Sequence, residues 1–465
     1  MIHLIPGQHI HLIGIGGAGM SAIARILLQQ GYYVTGSDRS TGEMIDMLKK
    51  EGAHIYHGHD ATYVNDAEIV VATSAVPDNH IEILSAQAQA IPVYRRLDFI
   101  GKLTKGYQCI AVSGTHGKTT TTAMIAYILL QTGRDPSYIV GGVMGNTHTN
   151  AAVGDSNLFV IEADEYDNMF HGLRPQIEVI TSVEYDHPDF FRTPNQMMDS
   201  FSHFVGLLPA DGLLVACADE PGALVFARNR EIMNLPVATY GIHQTAAYWQ
   251  ARNIEYTVEH TMFDVFYKDH LQGRVTLRIP GVHNILNALA ALIVTTGALD
   301  VKFSAAAAAL ETFVSAGRRF ELVADEQGIA IINDYAHHPT AIRATIEAAR
   351  LRYPQRQVWA VWQPHTYSRT LALMDQFATA FDKAHHAIIT EIYAAREKPI
   401  EGLSSRDFLD MMEHPDVRYV PMLDDVVETL LEDVESPAVI LVMSAGDATR
   451  ISHETWQALK ERERR

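Results

Sequence analysis

Two glycine-rich turns, each lying between an apolar strand and an apolar helix, constrain the fold of this chain most strongly. GIGGAG at residues 14–19 follows HIHLI, and SGTHGKTT at residues 113–120 follows CIAV. A strand that enters a helix through a glycine turn is typical of parallel βα units, and the turn offers backbone amides to an anion. The sequence therefore predicts an α/β fold with two anion-binding turns.

The length of 465 residues predicts about three domains, at roughly 150 residues each. Apolar strands near residues 69–76 complete a first βα series, and the strand at residues 109–114 begins a second one. After residue 317, the segments IAIIND, QVWAVW and AVILVM indicate a third series. We expect three α/β domains: Rossmann-like at residues 1–105, P-loop-type ATPase at residues 106–316, and Rossmann-like again at residues 317–465.

Composition narrows the class of partner. The net charge of -19 repels nucleic acid and anionic membrane surfaces. No apolar run reaches the roughly 18 residues of a membrane helix, and the first residues do not resemble a signal sequence, so we expect a cytoplasmic protein. Cys109 and Cys217 are flanked by apolar residues, which predicts buried thiols instead of a disulfide or a metal site. Oligomeric state is not predicted.

The second turn predicts ATP binding. Lys118 follows Gly117 and supplies a cation for triphosphate oxygens, and the Thr119 hydroxyl is suited to Mg²⁺. The pattern departs from G-x-x-x-x-G-K-[ST] because Val112 stands at the first glycine. The predicted nucleotide-binding residues of the turn are Gly114, Thr115, His116, Gly117, Lys118, Thr119 and Thr120.

Acidic residues follow two neighbouring strands of the central domain. LFVI ends in Glu162, and the next strand runs into Glu184-Tyr185-Asp186-His187. Carboxyl ends of parallel strands meet at one sheet edge, where ligands gather. Glu162 is therefore the first expected Mg²⁺ ligand after Thr119, and His187 is a candidate ligand of a second cation. A loop histidine without a ligand is the alternative for His187.

The first turn permits two interpretations. It fits G-x-G-x-x-G, with Asp38 about twenty residues further on, as in NAD-dependent dehydrogenases. Amides at a helix N-terminus also hold the pyrophosphate of a UDP-sugar. Both interpretations remain open from the motif alone. Nearby, His54, His57 and His59 are expected to be surface-loop histidines, not metal ligands.

Taken together, GTHGKTTTT, EADE, YDH, GVHN with Asn287, and GRRF resemble the Mur ligases, ATP-dependent enzymes that form amide bonds in peptidoglycan synthesis. GIGGAGMSAIA, DYAHHPT, QPHTYSRT and IYAAREKPIEG resemble members that join L-alanine to the lactyl carboxylate of UDP-N-acetylmuramate through an acyl phosphate. EADEYD and EYDHPDFF are closer to members that reattach the recycled tripeptide L-alanyl-γ-D-glutamyl-diaminopimelate. The amine donor is therefore left open, with L-alanine preferred.

The resemblance also implies roles for individual residues. Lys118 would neutralise β- and γ-phosphate oxygens, Thr119 and Glu162 would hold one Mg²⁺, and His187 with Glu162 would hold a second. Arg319, or its neighbour Arg318, would reach the γ-phosphoryl group. Asn284 and Asn287 would lie at adenine, with His283 shaping that site, and Asp334 would lie at the ATP ribose or phosphates.

The resemblance further implies that Tyr335, His337 and Arg369 surround L-alanine, with Arg369 on its carboxylate, whereas His338 would be structural. The residues implied around the UDP-sugar are Gly14, Gly16, Gly17, Gly19, Met20, Ser37, Asp38, Ser74 and Arg96.

Two functions from other classes are set against this one. A dehydrogenase would use the first turn for NAD and leave the second without a role. A silent nucleotide sensor would bind ATP and UDP-sugar but release no phosphate, and it would have little need for Lys118, Glu162 and His187 together.

Overall fold

The structure is a computed structural model that describes residues 4–463. The outermost residues of the first and third predicted domains, 1–3 and 464–465, therefore lie outside the described residues. The chain divides into two compact units. One comprises residues up to 183 with 197–250 and 288–309, and the other comprises 184–196, 251–287 and the residues from 310 onward.

Strands and helices alternate along most of the chain. The strands are β1 His9–Ile13, β2 Tyr33–Asp38, β3 His54–His57, β4 Ile69–Ala72, β5 Val93–Arg95, β6 Gln108–Ser113, β7 Ser137–Ile139, β8 Ala151–Ala152, β9 Leu158–Glu162, β10 Ile177–Ile180, β11 Leu213–Cys217, β12 Val237–Gly241, β13 Trp249–Tyr256, β14 Thr261–Tyr267, β15 His270–Leu277, β16 Glu321–Glu326, β17 Ile329–Asp334, β18 Gln357–Trp362, β19 His386–Ile389, β20 Val417–Tyr419 and β21 Ala438–Met443. The α-helices are α1 Ala18–Gln29, α2 Glu43–Lys50, α3 Ile81–Ala88, α4 Arg96–Leu103, α5 Lys118–Gln131, α6 Pro194–Val205, α7 Pro221–Ile232, α8 Val282–Leu292, α9 Phe303–Glu311, α10 Pro339–Arg352, α11 Tyr367–Ala372, α12 Met374–Ala378, α13 Arg406–Leu409, α14 Leu423–Asp433 and α15 Arg450–Glu463. Short 3₁₀ turns lie at Ala61–Val64 and Tyr166–Gly172, and a π-turn follows α8 at Ile293–Ala298.

The first sheet has the order β3-β2-β1-β4-β5, and all its pairs are parallel. Its middle strands β1 and β4 are almost wholly buried, which explains their near-continuous apolar sequences. The first glycine turn follows β1, beside the point where the strand order reverses. Ligands of such sheets bind at this position.

Seven strands of the central sheet lie within the first unit, in the order β12, β11, β10, β6, β9, β7 and β8. Of these seven, the strands from β12 to β7 are parallel, and β8 runs antiparallel to β7. Strand β6 lies between β9 and β10, so the second glycine turn emerges between the ends of these two strands. This order brings the turn, Glu162 and residues 181–182 to one edge of the sheet.

The second unit contains the antiparallel hairpin β14–β15 and a six-stranded sheet of order β16-β17-β21-β18-β19-β20. Strand β16 is antiparallel to its neighbour, and the other pairs are parallel. The indole of Trp362 is fully buried on one face of this sheet, with ring centroids 4.4 Å from Phe377 and 5.5 Å from Phe381. The three sheets confirm the predicted α/β class.

The structure also bears on the predictions for the cysteines, for three histidines and for membrane-spanning helices. Cys109 and Cys217 are both buried free thiols, as expected. His54 and His57 are exposed but lie in strand β3, not in a loop, and His59 is partly buried because it bonds to an acidic side chain. Among the helices of residues 4–463, none combines the length and the apolar character that a bilayer-spanning helix requires.

We predict that Trp362→Ala lowers the free energy of unfolding of the second unit by about 3–5 kcal/mol, because it leaves a cavity among aromatic rings. Urea denaturation followed by circular dichroism measures this change. Met422→Ala is the matched control, since its side chain is 61% exposed and its loss should change stability by less than about 0.5 kcal/mol. Equal effects of the two variants would contradict the assignment of Trp362 to the core.

Candidate active site

The turn between β6 and α5 is fixed to the end of strand β10. The Thr115 amide donates to the carbonyl of Ser182 at 2.9 Å, and the His116 amide donates to the Ser182 hydroxyl at 3.0 Å. A Cβ atom on Gly114 would lie 2.1 Å from Thr181 Oγ1, so only glycine fits there. Gly117 closes the turn in the left-handed region, and α5 begins at the next residue. The turn is therefore held ready, before any ligand binds.

Lys118 bends back over this turn. Its ammonium group lies 2.8 Å from Glu165 Oε2 and also donates to the carbonyl of Gly114. Burial alone would lower the pKa of Lys118, but Glu165, Asp164 and Glu162 raise it. The lysine is therefore a fixed cation at the end of a turn rich in backbone amides, as the binding of phosphate oxygens requires.

Thr119 and Glu162 form an oxygen-rich pair beside the lysine. The Thr119 hydroxyl donates to Glu162 Oε1 at 3.0 Å, and the other carboxylate oxygen accepts the Gly141 amide at 2.6 Å. Thr120 follows as a buried residue on α5. A hydroxyl and a carboxylate oxygen are donors that Mg²⁺ prefers, so these residues fit the predicted cation.

The first glycine turn is organised by Asp38 and Arg96. Asp38 Oδ2 accepts the Gly16 amide at 2.8 Å, which ties the turn between Gly14 and Gly17 to the end of β2. Arg96 Nη1 lies only 2.2 Å from where a Cβ atom on Gly19 would stand. The guanidinium group thus lies on the first turn of α1. Its other terminal nitrogen donates to Asp164 Oδ2 at 3.0 Å.

Three further residues predicted for the UDP-sugar differ in exposure. Ser74 is exposed after β4, whereas Met20 is 2% exposed and Ser37 is fully buried. The Ser37 hydroxyl donates to Glu82 at 2.7 Å. Met20 and Ser37 therefore direct their side chains into the domain, and their contact with a ligand stays a prediction.

In the second unit, Tyr335 is covered by two arginines. The guanidinium carbons of Arg318 and Arg319 lie 5.0 Å and 4.8 Å from its ring centroid. Arg318 also donates to the carbonyls of Ser444 and Gly446, which hold it to the protein backbone. Arg318 is thus held to the backbone, and contact of Arg319 or Arg318 with a phosphoryl group stays a prediction.

Asp334 and Asn284 form hydrogen bonds with nearby backbone groups, and Asn287 forms one with the Asn284 side chain. The Asp334 carboxylate accepts the amides of Phe320 and Ala336, both at 2.8 Å, and burial raises its pKa. Asn284 donates from its side-chain amide to the carbonyl of Pro280 at 2.6 Å, and Asn287 donates to Asn284 at 3.2 Å. A helix N-cap side chain accepts a hydrogen bond from a backbone amide, whereas Asn284 donates one to Pro280. This contact is therefore not a capping hydrogen bond.

Asp186 gathers the residues predicted to surround the amino acid. Its carboxylate accepts Arg369 Nε at 2.6 Å, with both side chains nearly fully buried, and lies 3.8 Å from His337 Nε2. Arg369 lowers the pKa of Asp186 well below its usual range, although burial alone would raise it. Burial lowers the pKa of His337 to about 4 and of His365 to about 3, so both imidazoles are neutral at physiological pH.

His187 and His338 flank this cluster within the second unit. His187 has a positive φ of 55° and lies 3.5 Å, through Nδ1, from an Arg369 terminal nitrogen. His338 caps α10 by accepting the Thr340 amide, which agrees with its expected structural role.

Sequence reasoning named neither Glu165 nor Asp186 as a site residue, although both stand inside the acidic segments that it singled out. Each pairs with a predicted site cation: Glu165 with Lys118, and Asp186 with Arg369. The sequence feature that could have identified Glu165 and Asp186 is their position just after apolar segments that are predicted as strands. Ser182 and Gly141 had no such signal, because only the fold brings them to the turn and to Glu162.

Family comparisons agree with these features. Residues 9–108 match the Mur ligase family catalytic domain, residues 112–295 the Mur ligase middle domain, and residues 318–446 the Mur ligase glutamate ligase domain. The three matched segments correspond to a three-domain α/β architecture, as the sequence predicted.

Comparisons with individual proteins cover nearly the whole chain. The UDP-N-acetylmuramate--L-alanine ligase of Caldanaerobacter subterraneus is 41% identical over 97% of this chain and 98% of the relative. The crystal structure of a UDP-N-acetylmuramate-alanine ligase from Thermotoga maritima matches with 26% identity and a TM-score of 0.82, over 97% of this chain and 99% of that one. A murein peptide ligase from Psychrobacter arcticus matches with 26% identity and a TM-score of 0.71, with the same two coverages. The chain therefore belongs to the Mur ligase family.

Proposed function

We propose that this chain is an ATP-dependent ligase that joins L-alanine to the lactyl carboxylate of UDP-N-acetylmuramate in peptidoglycan precursor synthesis. The observation that carries the proposal is the group at the end of β6, where a fixed lysine lies beside the Thr119–Glu162 oxygen pair. Curated relatives at 37% to 41% identity bear the name of this activity over nearly their full length.

The reaction has two chemical steps. A carboxylate is a poor electrophile, so its oxygen first attacks the γ-phosphorus of ATP, and the bond between that phosphorus and the β,γ-bridging oxygen breaks to release ADP. The amine of L-alanine then attacks the acyl carbon, inorganic phosphate leaves, and the amine gives up a proton. Lys118 would stabilise the negative charge on the phosphoryl oxygens. A fixed cation at this position lowers the activation free energy of phosphoryl transfer.

Thr119 and Glu162 would hold Mg²⁺, which neutralises phosphate oxygens when it is bound. A second ion held through His187, and a role for Arg319 at the γ-phosphoryl group, stay predictions from the family resemblance. The adenine contacts of Asn284 and Asn287 and the ribose contact of Asp334 have the same standing.

The nucleotide-sugar would bind at the first glycine turn. The turn amides and the Arg96 guanidinium, which lies on the first turn of α1, offer donors and positive charge to a pyrophosphate. In this arrangement Asp164 holds Arg96 in place. The same turn serves a UDP-sugar without any nicotinamide chemistry, so hydride transfer is not part of the proposal.

The amine donor would be bound by the cluster around Asp186. Arg369 uses Nε for Asp186, which leaves its two terminal nitrogens directed toward His365 and His187. These nitrogens are the donors that would take the carboxylate of L-alanine. The neutral imidazole of His337 would accept a hydrogen bond from the amino group, because an unprotonated nitrogen carries a lone pair.

A recycled tripeptide is the second candidate donor. The segments EADEYD and EYDHPDFF favour it, and the murein peptide ligase match has the same overall fold. The higher TM-score of the alanine ligase structure and the names of the curated relatives favour L-alanine.

The cytoplasmic location and the domain boundaries after residues 105 and 316 stay predictions.

The donor experiment measures phosphate release with ATP, Mg²⁺ and UDP-N-acetylmuramate, and identifies the product by mass. L-alanine, glycine, L-serine and L-alanyl-γ-D-glutamyl-diaminopimelate are compared. We expect release with L-alanine and a product heavier by one alanyl residue. Release with the tripeptide alone would assign the recycling activity, and no release with any donor would support the silent sensor.

We predict that Lys118→Ala lowers the rate of phosphate release by at least about a hundredfold, because a preorganised positive charge at the phosphoryl group is lost. The assay is L-alanine-dependent phosphate release at saturating substrates. Lys105→Ala removes an exposed lysine and serves as the matched control, with an unchanged rate expected. Retained ligation by the Lys118 variant would refute the proposed role.

We predict that removal of Mg²⁺ by a chelator abolishes ligation, and that Glu162→Gln raises the Mg²⁺ concentration for half-maximal activity by at least about tenfold. The amide keeps the size of the side chain but loses the charge that attracts the cation. Glu311→Gln, at an exposed helix end, is the control for general charge effects. An unchanged Mg²⁺ requirement in Glu162→Gln would exclude this residue as a ligand.

We predict that Asp186→Asn raises the KM for L-alanine by about tenfold or more while the KM for ATP changes by less than about twofold. The substitution leaves the Arg369 guanidinium without its buried counter-charge, so the cluster no longer holds its geometry. Steady-state kinetics with each substrate varied in turn provides the test, and Asp199→Asn at an exposed position is the control. Equal changes in all KM values would show that Asp186 supports the fold alone.

A further inference from the structure

A polar cluster in the first domain contains none of the residues proposed for the chemistry at ATP, although Ser37 within it is also predicted to lie near the UDP-sugar. It consists of His59, His80 and Glu82, with His11 and Ser37 behind them, and is called here the histidine–glutamate cluster. His59 follows β3, Ser37 lies on β2, and Glu82 is in the first turn of α3. These elements bring the residues together at the carboxyl edge of the first sheet, where ligands of parallel sheets bind.

Glu82 is the centre of this cluster and is fully buried. Its Oε2 atom accepts hydrogen bonds from His11 Nε2 at 2.9 Å and from the Ser37 hydroxyl at 2.7 Å, and Oε1 pairs with His59 Nδ1 at 2.9 Å. Burial alone would raise the pKa of Glu82, but these hydrogen bonds lower it. Both oxygens of the Glu82 carboxylate are therefore engaged in hydrogen bonds inside a domain core.

The hydrogen-bonding partners of Glu82 differ in their exposure to solvent. The hydrogen-bonding partners of Glu82 on its inner side are a hydroxyl and the buried His11, whose other nitrogen bonds to Thr35 at 2.8 Å. The solvent side of Glu82 is formed by His59, whose side chain is 11% exposed, and by His80. His59 and His80 are therefore the members of the cluster that are partly exposed, whereas Glu82, His11 and Ser37 are buried.

His59 and His80 are arranged so that both can reach one ion. Their ring centroids lie 4.5 Å apart with the planes at 88°, so the edge of one ring faces the other. One donor atom from each of His59, His80 and Glu82 lies within 4.8 Å of the other two. His80 Nδ1 accepts only a long hydrogen bond, 3.4 Å, from the Glu82 amide, so it can exchange this partner for a metal.

We infer that His59, His80 and Glu82 form a site for a Zn²⁺-type divalent cation at the carboxyl edge of the first sheet. Two imidazole nitrogens and one carboxylate oxygen are the ligand set that zinc takes with three protein ligands, leaving a fourth position to water. Mg²⁺ prefers oxygen ligands alone, so this site differs chemically from the Thr119–Glu162 pair. Binding would replace the hydrogen bond between His59 and Glu82.

The inference does not rest on the proposed ligase activity, because His59, His80 and Glu82 are not among the residues proposed for ATP, Mg²⁺ or the UDP-sugar, and the ion is a different one. The test uses the full chain, freed of metal by a chelator and dialysed into buffer with millimolar Mg²⁺. Co²⁺ is added first, since a tetrahedral nitrogen- and oxygen-ligated Co²⁺ absorbs strongly in the visible range. Zn²⁺ binding is then measured by isothermal titration calorimetry.

The deciding variant is His80→Asn, which keeps a side chain able to cap α3 and removes the imidazole ligand. We expect the native chain to bind one Zn²⁺ more than the variant, or to bind that ion at least about tenfold more tightly, and only the native chain to show the Co²⁺ absorption. His57→Asn removes an exposed histidine of β3 and should bind like the native chain.

His59→Gln provides a second variant, and circular dichroism establishes whether it folds. Equal Zn²⁺ stoichiometry and affinity in the native chain and in His80→Asn would overturn the inference, as would the absence of Zn²⁺ binding by the native chain. The second result would mean that the hydrogen bonds of Glu82 hold the cluster together without a metal. Neither result bears on phosphate release with L-alanine, so failure of the cation site and failure of the ligase proposal are distinguishable.

Discussion

Parallel pairing of β6 with β9 on one side and β10 on the other is the constraint on which the central site depends. Because the three strands run the same way, their carboxyl ends lie at one edge of the sheet. The second glycine turn, Glu162 and residues 181–182 are separated by tens of residues in sequence and meet only there. Hydrogen bonds from the turn to Ser182 then fix its backbone, so its amides are oriented without a ligand.

Ion pairs that hold individual cations in place are the second feature on which the proposed site depends. The chain carries a net charge of -19, yet the proposed substrates are anions, so local cations have to be placed and held. Lys118 is held by Glu165, Arg96 by Asp164 and Arg369 by Asp186. A cation that is already hydrogen bonded loses little conformational entropy when its ligand arrives, which favours fast and specific binding. Removing one member leaves its partner as an uncompensated charge.

Much of the fold and part of the site could be predicted from the sequence. Each glycine turn follows a run of apolar residues and opens an apolar helix, and this local pattern is enough to predict βα units and anion binding. Lys118, Thr119 and Glu162 were predicted as site residues for the same reason, from residue type and position after a strand. His59 lies in a loop, as predicted, but the sequence did not predict its bond to Glu82, because Glu82 lies in another element and cannot be recognised from spacing.

The sequence by itself determined the α/β class, the positions of both glycine turns and the lysine, hydroxyl and carboxylate side chains that stand beside the second turn. These are local properties, set by hydrophobic periodicity and by the conformational needs of glycine. Only the tertiary structure decided which acid holds which cation, that Ser182 and Gly141 support the central site, and that Glu82 is buried among histidines. Those contacts join residues far apart in the chain, and their strength depends on burial and distance, which exist only once the sheets have formed.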